Sequence, residues 1–243
     1  MRNSTKSSGS EVGPGRIFRR LKKYYAKLGL TTALGAIAVH EDPFRVLIST
    51  VLSQRTRDEM TEIASDRLFM KFPDARTMGT APLKDIRDAV GKVCFYRNKA
   101  VAIRRIAQTI DREYGGRVPD SVEELMRLPS VGRKTANCTL VYGFGKSAIP
   151  VDTHVHRISN RLGLVRTEQP EETEMELMRL LPRKLWREIN ELLVIHGQNI
   201  CRPLRPKCNV CPVTDLCTYA GKQSARTLHP GNKKHTQRTL RRS

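Results

Sequence analysis

Long apolar runs are absent from this 243-residue chain: none approaches the roughly 18 residues that a membrane-spanning helix needs. The first fifteen residues, MRNSTKSSGSEVGPG, also lack the hydrophobic core of a secretory signal. A cytoplasmic protein is expected, nucleoid-associated if the source is prokaryotic. Aromatic residues make up only 5% of the chain, which leaves little surface on which the bases of an open single strand could stack and favours a duplex partner instead. Sustained alternation of apolar and polar residues, the mark of a sheet, is missing as well, whereas spacing near 3.6 residues recurs throughout. The fold class expected is all-α.

Acidic residues are outnumbered, 24 against 44 Lys and Arg, for a formal charge of +20. The excess is not uniform. Residues 1–34 hold 8 basic residues and 1 acidic, residues 218–243 hold 7 and none, so each end carries +7 and the long middle only +6. Such ends suit a polyanion, because neutralising phosphates releases condensed counterions; a solvated basic surface without a partner is the plainer alternative. The Ser/Gly/Pro-rich residues 1–15 and the tail 222–243 show no apolar periodicity and are expected to be disordered basic arms.

What the chain does contain is a series of helix signals. Ile17, Leu21, Tyr24 and Leu28 fall on one face of a first basic helix, and Asp42 followed by Pro43 reads as an N-cap and first helical position for the apolar run FRVLISTVLSQ. A charged helix is expected from about Arg57 to Lys71, and a short one from Pro82. Another covers Asn98 to Tyr114, with Val101, Ile103, Ile106 and Ile110 near one stripe, stopping at Gly115-Gly116. Asp120 or Ser121 caps VEELMRL, and later helices are expected near 153–162, 171–181 and 184–197.

The stretch LPSVGRKTANCTLVYGFGKSAIPVDTH, from Leu128 to His154, carries the chemistry. Between VEELMRL and the helix starting near Lys134 lie only PSVG, where proline ends one helix and Gly132 permits close approach or positive φ, giving a compact hairpin. The unpaired N–H groups that open the second helix suit a phosphate, although such turns are common in proteins that bind nothing. Lys134 lies in the first turn, where the helix dipole disfavours a cation. That field, with Arg133 adjacent, favours a neutral amine able to attack an electrophilic carbon; a lysine that simply holds a phosphate is the alternative. Asp152 precedes a helix and reads as an N-cap, a role compatible with catalysis, since an ionised carboxylate beside a sugar stabilises the positive charge that develops as a base leaves.

Four cysteines, Cys201, Cys208, Cys211 and Cys217, are set in CRPLRPKCNVCPVTDLC with six, two and five intervening residues. Their crowding points to a metal rather than to disulfides, and spacing alone leaves zinc and an iron–sulfur cluster both open. Arg202, Arg205 and Lys207 lie within this loop as phosphate contacts or as ordinary solvated charges. Cys94 and Cys138 have no ligand-like neighbours and are expected to be small buried residues.

The Leu128–His154 stretch resembles the helix-hairpin-helix and Gly/Pro-Asp signature of the endonuclease III family of DNA glycosylases. The match runs through Leu128, Pro129, Val131, Gly132, Arg133, Lys134, Thr135, Ala136, Val151, Asp152, Thr153 and His154. The cysteine loop is similar to that family's C-terminal [4Fe-4S] motif at all four cysteines. The resemblance covers residues 17–219. It implies a monomeric enzyme that removes oxidised pyrimidines from double-stranded DNA and cleaves the abasic site, with Lys134 forming a Schiff base at C1′ and Asp152 assisting. Lysine at 134 argues against a relative that only removes a base, such as a uracil or thymine mismatch glycosylase.

DNA contacts are implied at Ser130, Val131, Gly132, Arg133, Thr135 and His154. Gln54 resembles the glutamine that fills the space of an extruded nucleotide. Phe95 falls where relatives carry an aliphatic wedge, with a core aromatic as the alternative. Two departures stand out: Ser130 replaces a usual glycine, and Arg57 stands where many relatives place an acid, Asp58 coming next. The implied architecture is a helical barrel over 35–147, with the hairpin at about 121–145, and a cluster domain of 16–34 plus 148–221.

Overall fold

The computed structural model describes residues 13–30, 42–91 and 93–221, and among these it contains helices, turns and loops but no strand. The tail from 222 and most of the N-terminal arm lie outside the described residues. The arm's expected extent is corrected at its inner end: α1 spans Pro14–Leu28, so residues 14 and 15 form its first turn.

The buried apolar side chains form two cores. The first runs from Phe44 to Ala148 and the second gathers Ile17–Tyr25 with Ile149–Val213. At the centre of the first is α2 (Pro43–Ser53), started by Pro43 and capped by Asp42, whose Oδ1 accepts the Phe44 N–H at 3.0 Å. Phe44 and every residue from Val46 to Leu52 are buried, so this helix is covered on nearly all sides. Its two buried hydroxyls are satisfied: Thr50 donates to the Val46 carbonyl at 2.7 Å, and Ser49 pairs with Ser65 at 2.6 Å.

On α2 pack α3 (Asp58–Lys71) and α6 (Tyr96–Glu113), with α4 (Ala75–Thr80) against α6 and α5 (Leu83–Val90) against both α3 and α6. The six-residue α4 was not expected, yet Asp74 and Thr77 make a reciprocal capping box at its start. Ile103, Ile106 and Ile110 of α6 are buried as the stripe requires, while Val101 is only half-buried. The helix expected from VEELMRL is shorter: α7 covers Val122–Leu125, capped by Ser121, and successive turns carry the chain to Leu128. α8 (Arg133–Cys138) then widens into a π-helical turn at Thr139–Gly143.

In the second core α1 packs on α11 (Trp186–Asn199), beside α9 (Thr153–Leu162) and α10 (Pro170–Leu180). The buried face of α1 is Ile17, Phe18, Leu21 and Tyr25, which corrects the expected stripe. Tyr24 is half-buried and Leu28, at the open end of the helix, is 53% exposed. Six basic side chains counted with the N-terminal excess project from this helix, and two of them bind acids across the core: Arg20 pairs with Asp215 and Lys22 with Glu188, each at 2.6 Å.

The π-helical turn lies hard against the start of α2. A Cβ at Gly143 would stand 2.7 Å from Pro43 Cα, a main-chain atom with no freedom to turn away. Gly143→Ala should therefore destabilise the protein by about 1–3 kcal/mol in chemical denaturation. An unchanged midpoint would contradict this reading of the contact.

Candidate functional site

α7, the turn after it and α8 form the expected hairpin, but its left-handed residue is not Gly132. Gly132 has φ −95°, and Ser130 takes φ +64° in its place. The hairpin shape thus survives the Gly-to-Ser departure at the cost of a strained serine. Val131 and Thr135 are buried, at 6% and 3%, whereas Ser130 and Gly132 are exposed. Arg133 is bound already: its guanidinium grips Glu174 of α10 through two hydrogen bonds, Nε to Oε2 at 2.9 Å and Nη2 to Oε1 at 3.0 Å. This fork ties the hairpin to the second core, and the buried Glu174 cancels the charge next to Lys134.

Lys134 and Asp152 line the same cleft of about 530 Å³ between the two cores. The expected neutral amine is corrected. Burial works against the charge, but the Cys138 sulfur one helical turn on, then Asp152 and Asp58, outweigh it, and the lysine pKa lies above its usual value. With Arg133 already paired, the anticipated repulsion is gone. Cys138 is fully buried, as expected, and its thiol pKa is pushed up by burial against the pull of Lys134. Cys94, expected to be buried, is exposed.

Asp152 caps α9, with Oδ1 accepting the His154 N–H at 2.9 Å and the Val155 N–H at 2.8 Å. Both bonds fall on one oxygen, and Oδ2 takes none from the described residues. The strap before it is held from both sides. Asn137 of α8 donates to the Ile149 carbonyl at 3.4 Å, and Asn190 of α11 donates to the Pro150 carbonyl at 2.9 Å while accepting from the Tyr142 hydroxyl at 3.1 Å. His154 lies against α11 so closely that a Cβ at Gly197 would be 2.0 Å from its Nδ1. Burial lowers the His154 pKa below its usual value despite Asp152, so the ring is neutral and Nδ1 accepts from Arg157 at 3.2 Å.

Gln54, the exposed C-cap of α2, borders the same cleft. Phe95 is 56% exposed and left-handed at φ +57°, so it is not a core aromatic, and it borders an adjoining hollow of about 300 Å³ together with Gln54 and Ser130. Sequence reasoning missed Asp58, Asn190 and Gln198, which also line the cleft; Gln198 donates to Asp58 Oδ2 across it at 3.3 Å. The available signal was polarity out of place: Asn190 interrupts the apolar face of α11 and is 3% exposed.

The four cysteines of the 201–217 loop are free thiols that line one small cavity. Arg157 and Arg161 of α9 hold the loop: Arg157 donates to the Cys201 carbonyl at 2.9 Å, and Arg161 to the carbonyls of Arg202 and Pro203 at 2.7 and 2.8 Å. Arg202, Arg205 and Lys207 are exposed and away from the cleft lining, and Lys207 also borders the cysteine cavity.

Residues 48–183 match the family model described as HhH-GPD superfamily base excision DNA repair protein. An endonuclease III from Thermotoga maritima is 53% identical over 178 residues, covering 73% of this chain and 84% of its own. The fold is similar to that of a non-covalent endonuclease III–DNA complex, with a TM-score of 0.77, 33% identity, and coverage of 87% of this chain and 96% of the other. It is also similar to a trapped endonuclease III–DNA covalent intermediate, with a TM-score of 0.75, 32% identity, and coverage of 86% and 96%.

The strain at Ser130 is directly testable. Ser130→Gly should stabilise the protein by about 1 kcal/mol, the left-handed penalty less the added flexibility of glycine. That corresponds to roughly 2–4 °C in Tm. A lower Tm would show that the serine side chain contributes more than its backbone costs.

Proposed function

The chain belongs to the endonuclease III group of the HhH-GPD superfamily of base excision DNA repair proteins, and we propose that Lys134 and Asp152 carry out its glycosylase and lyase chemistry on damaged duplex DNA. The observation that carries this reading is the placement of an amine and a capped carboxylate on one cleft between two cores. The two cores serve as two lobes flanking the DNA. A stacked nucleotide cannot present C1′ to a side chain, so the damaged nucleotide is extruded into the cleft. Gln54 enters the vacated space and the exposed Phe95 acts as the wedge.

Lys134, its pKa above the usual value, first gives up a proton to solvent. Its nitrogen then attacks C1′, the bond from C1′ to the base breaks, and the base leaves with the electron pair and takes up a proton. Asp152, held by two main-chain amides, stabilises positive charge on the sugar as that bond lengthens. Opening of the sugar ring gives the Schiff base. Loss of a C2′ proton expels the 3′ phosphate by β-elimination, and water releases Lys134.

The four sulfurs of the cysteine loop surround one cavity, a donor set that suits an iron–sulfur cluster. Cys201, Cys208, Cys211 and Cys217 would hold a [4Fe-4S] cluster, whose contribution is to cross-link the loop and present its outer basic residues, with no part in base removal.

Duplexes carrying thymine glycol, uracil, a T·G mismatch or a bare abasic site separate the possibilities. Release of thymine glycol with strand cleavage and no added alkali is expected. Base release from uracil or T·G with the strand left intact would overturn the reading in favour of a monofunctional enzyme. Because only the unprotonated amine attacks, single-turnover nicking should rise about tenfold per pH unit from neutrality into the alkaline range. A flat profile would contradict a resting ammonium at 134.

A further inference from the structure

Non-glycine residues in the left-handed region cluster beside the cleft. Of the four among the described residues, Arg55, Phe95 and Ser130 border one hollow, with φ of +54°, +57° and +64°. Strain of this kind persists only where the surroundings impose it. Arg55 directly follows Gln54, so the Gln54–Arg55 peptide needs an anchor, and the structure supplies one from α6.

Lys99 is 6% exposed, and its ammonium reaches back across 45 residues of chain. It donates to the Leu52 carbonyl at 2.6 Å, to the Gln54 carbonyl at 2.6 Å and to Thr56 Oγ1 at 2.7 Å. Thr56 Oγ1 in turn donates to the Gln54 carbonyl at 3.3 Å. An ammonium has three N–H donors, and all three are used. The acceptors are the carbonyls left open where α2 ends and the hydroxyl of the turn that follows, so one buried charge closes the helix and fixes the loop together.

Fold stability alone is a poor explanation for this lysine. No carboxylate among the described residues pairs with it, and a buried cation without a counter-charge is costly. Burial lowers its pKa to about 8, only the Cys94 thiol working against that shift. The cost is concentrated at the one loop that carries Gln54.

We propose that Lys99 is a positioning residue for nucleotide extrusion, holding the Leu52–Thr56 loop so that Gln54 stands ready to enter the space the nucleotide leaves. The proposal rests on the reading of Gln54 as the residue that fills that space. It requires Lys99 to matter most when a paired base must be displaced, and little when no base is present.

Single-turnover rates on two duplexes, one with a thymine glycol pair and one with a bare abasic site, test this with the full-length chain. Lys99→Met keeps the apolar stem and removes all three donors. It should slow the lesion pair about 10- to 100-fold, the effect of leaving buried acceptors unpaired. It should leave abasic-site nicking within about threefold, because the extrusion cost is least where there is no base to unpair. Melting curves report whether the variant folds; if it does not, Thr56→Val, which deletes one acceptor and spares the fold, decides the matter through a smaller loss with the same selectivity. Equal slowing of both substrates, or no slowing of either, overturns the positioning role. A wild-type chain inactive on both duplexes overturns the glycosylase and lyase function itself, and this inference with it.

Discussion

The four-residue strap from Ile149 to Asp152 is the constraint on which the site depends. It carries the chain from the first core to the second, and its first two carbonyls, of Ile149 and Pro150, are held by Asn137 from one side and Asn190 from the other. A buried carbonyl left unpaired costs about 1–3 kcal/mol, so these two amides fix the crossing far more firmly than their net worth of about 1 kcal/mol each suggests. Lys134 stands on a helix rooted in the first core and Asp152 heads a helix rooted in the second. Their opposition across one cleft follows from the strap, with the Arg133–Glu174 fork and the Gln198–Asp58 bond setting the width of the gap.

Electrostatics divide the labour within that gap. Burial acts against the charge on Lys134, while Cys138, Asp152 and Asp58 act for it. Asp152 spends one oxygen on the helix and leaves the other open, so that N-cap and proposed catalytic carboxylate are a single device. The basic excess lies elsewhere, at the two ends of the sequence, and exposed basic residues also stand on the cysteine loop, apart from the cleft lining.

Helices that carry strong local signals are readable from the residues alone. Asp42-Pro43 starts α2, Gly115-Gly116 follows the end of α6, and Asp152 starts α9 at the residue expected. The residues that the fold gathers, 134 with 152 on one cleft and the four cysteines round one cavity, are legible through their residue type and their likeness to a family signature. Less legible is whatever tertiary packing decides. The short α4 and the early end of α7 depend on neighbours, since six or four residues have too little intrinsic helicity to announce themselves. Phe18 and Tyr25, rather than Tyr24 and Leu28, face inward because α11 fixes the rotation of α1. The charge of Lys134 escapes a linear reading because its partners Cys138 and Asp58 act through space, and Glu174, forty-one residues from Arg133, removes the neighbour that was counted on to expel the proton. Lys99 looks like one more surface cation in a basic helix, and only the fold brings it beneath Gln54.

The central claim is that the nitrogen of Lys134 itself bonds to the sugar. Borohydride reduction during turnover on an abasic-site duplex, followed by proteolysis and mass spectrometry of the cross-linked peptide, tests it most directly. The account predicts a sugar-modified peptide with the added mass on Lys134, and no trapped adduct from Lys134→Ala. Modification at the α-amino terminus or at another lysine, or an adduct undiminished in Lys134→Ala, would contradict it.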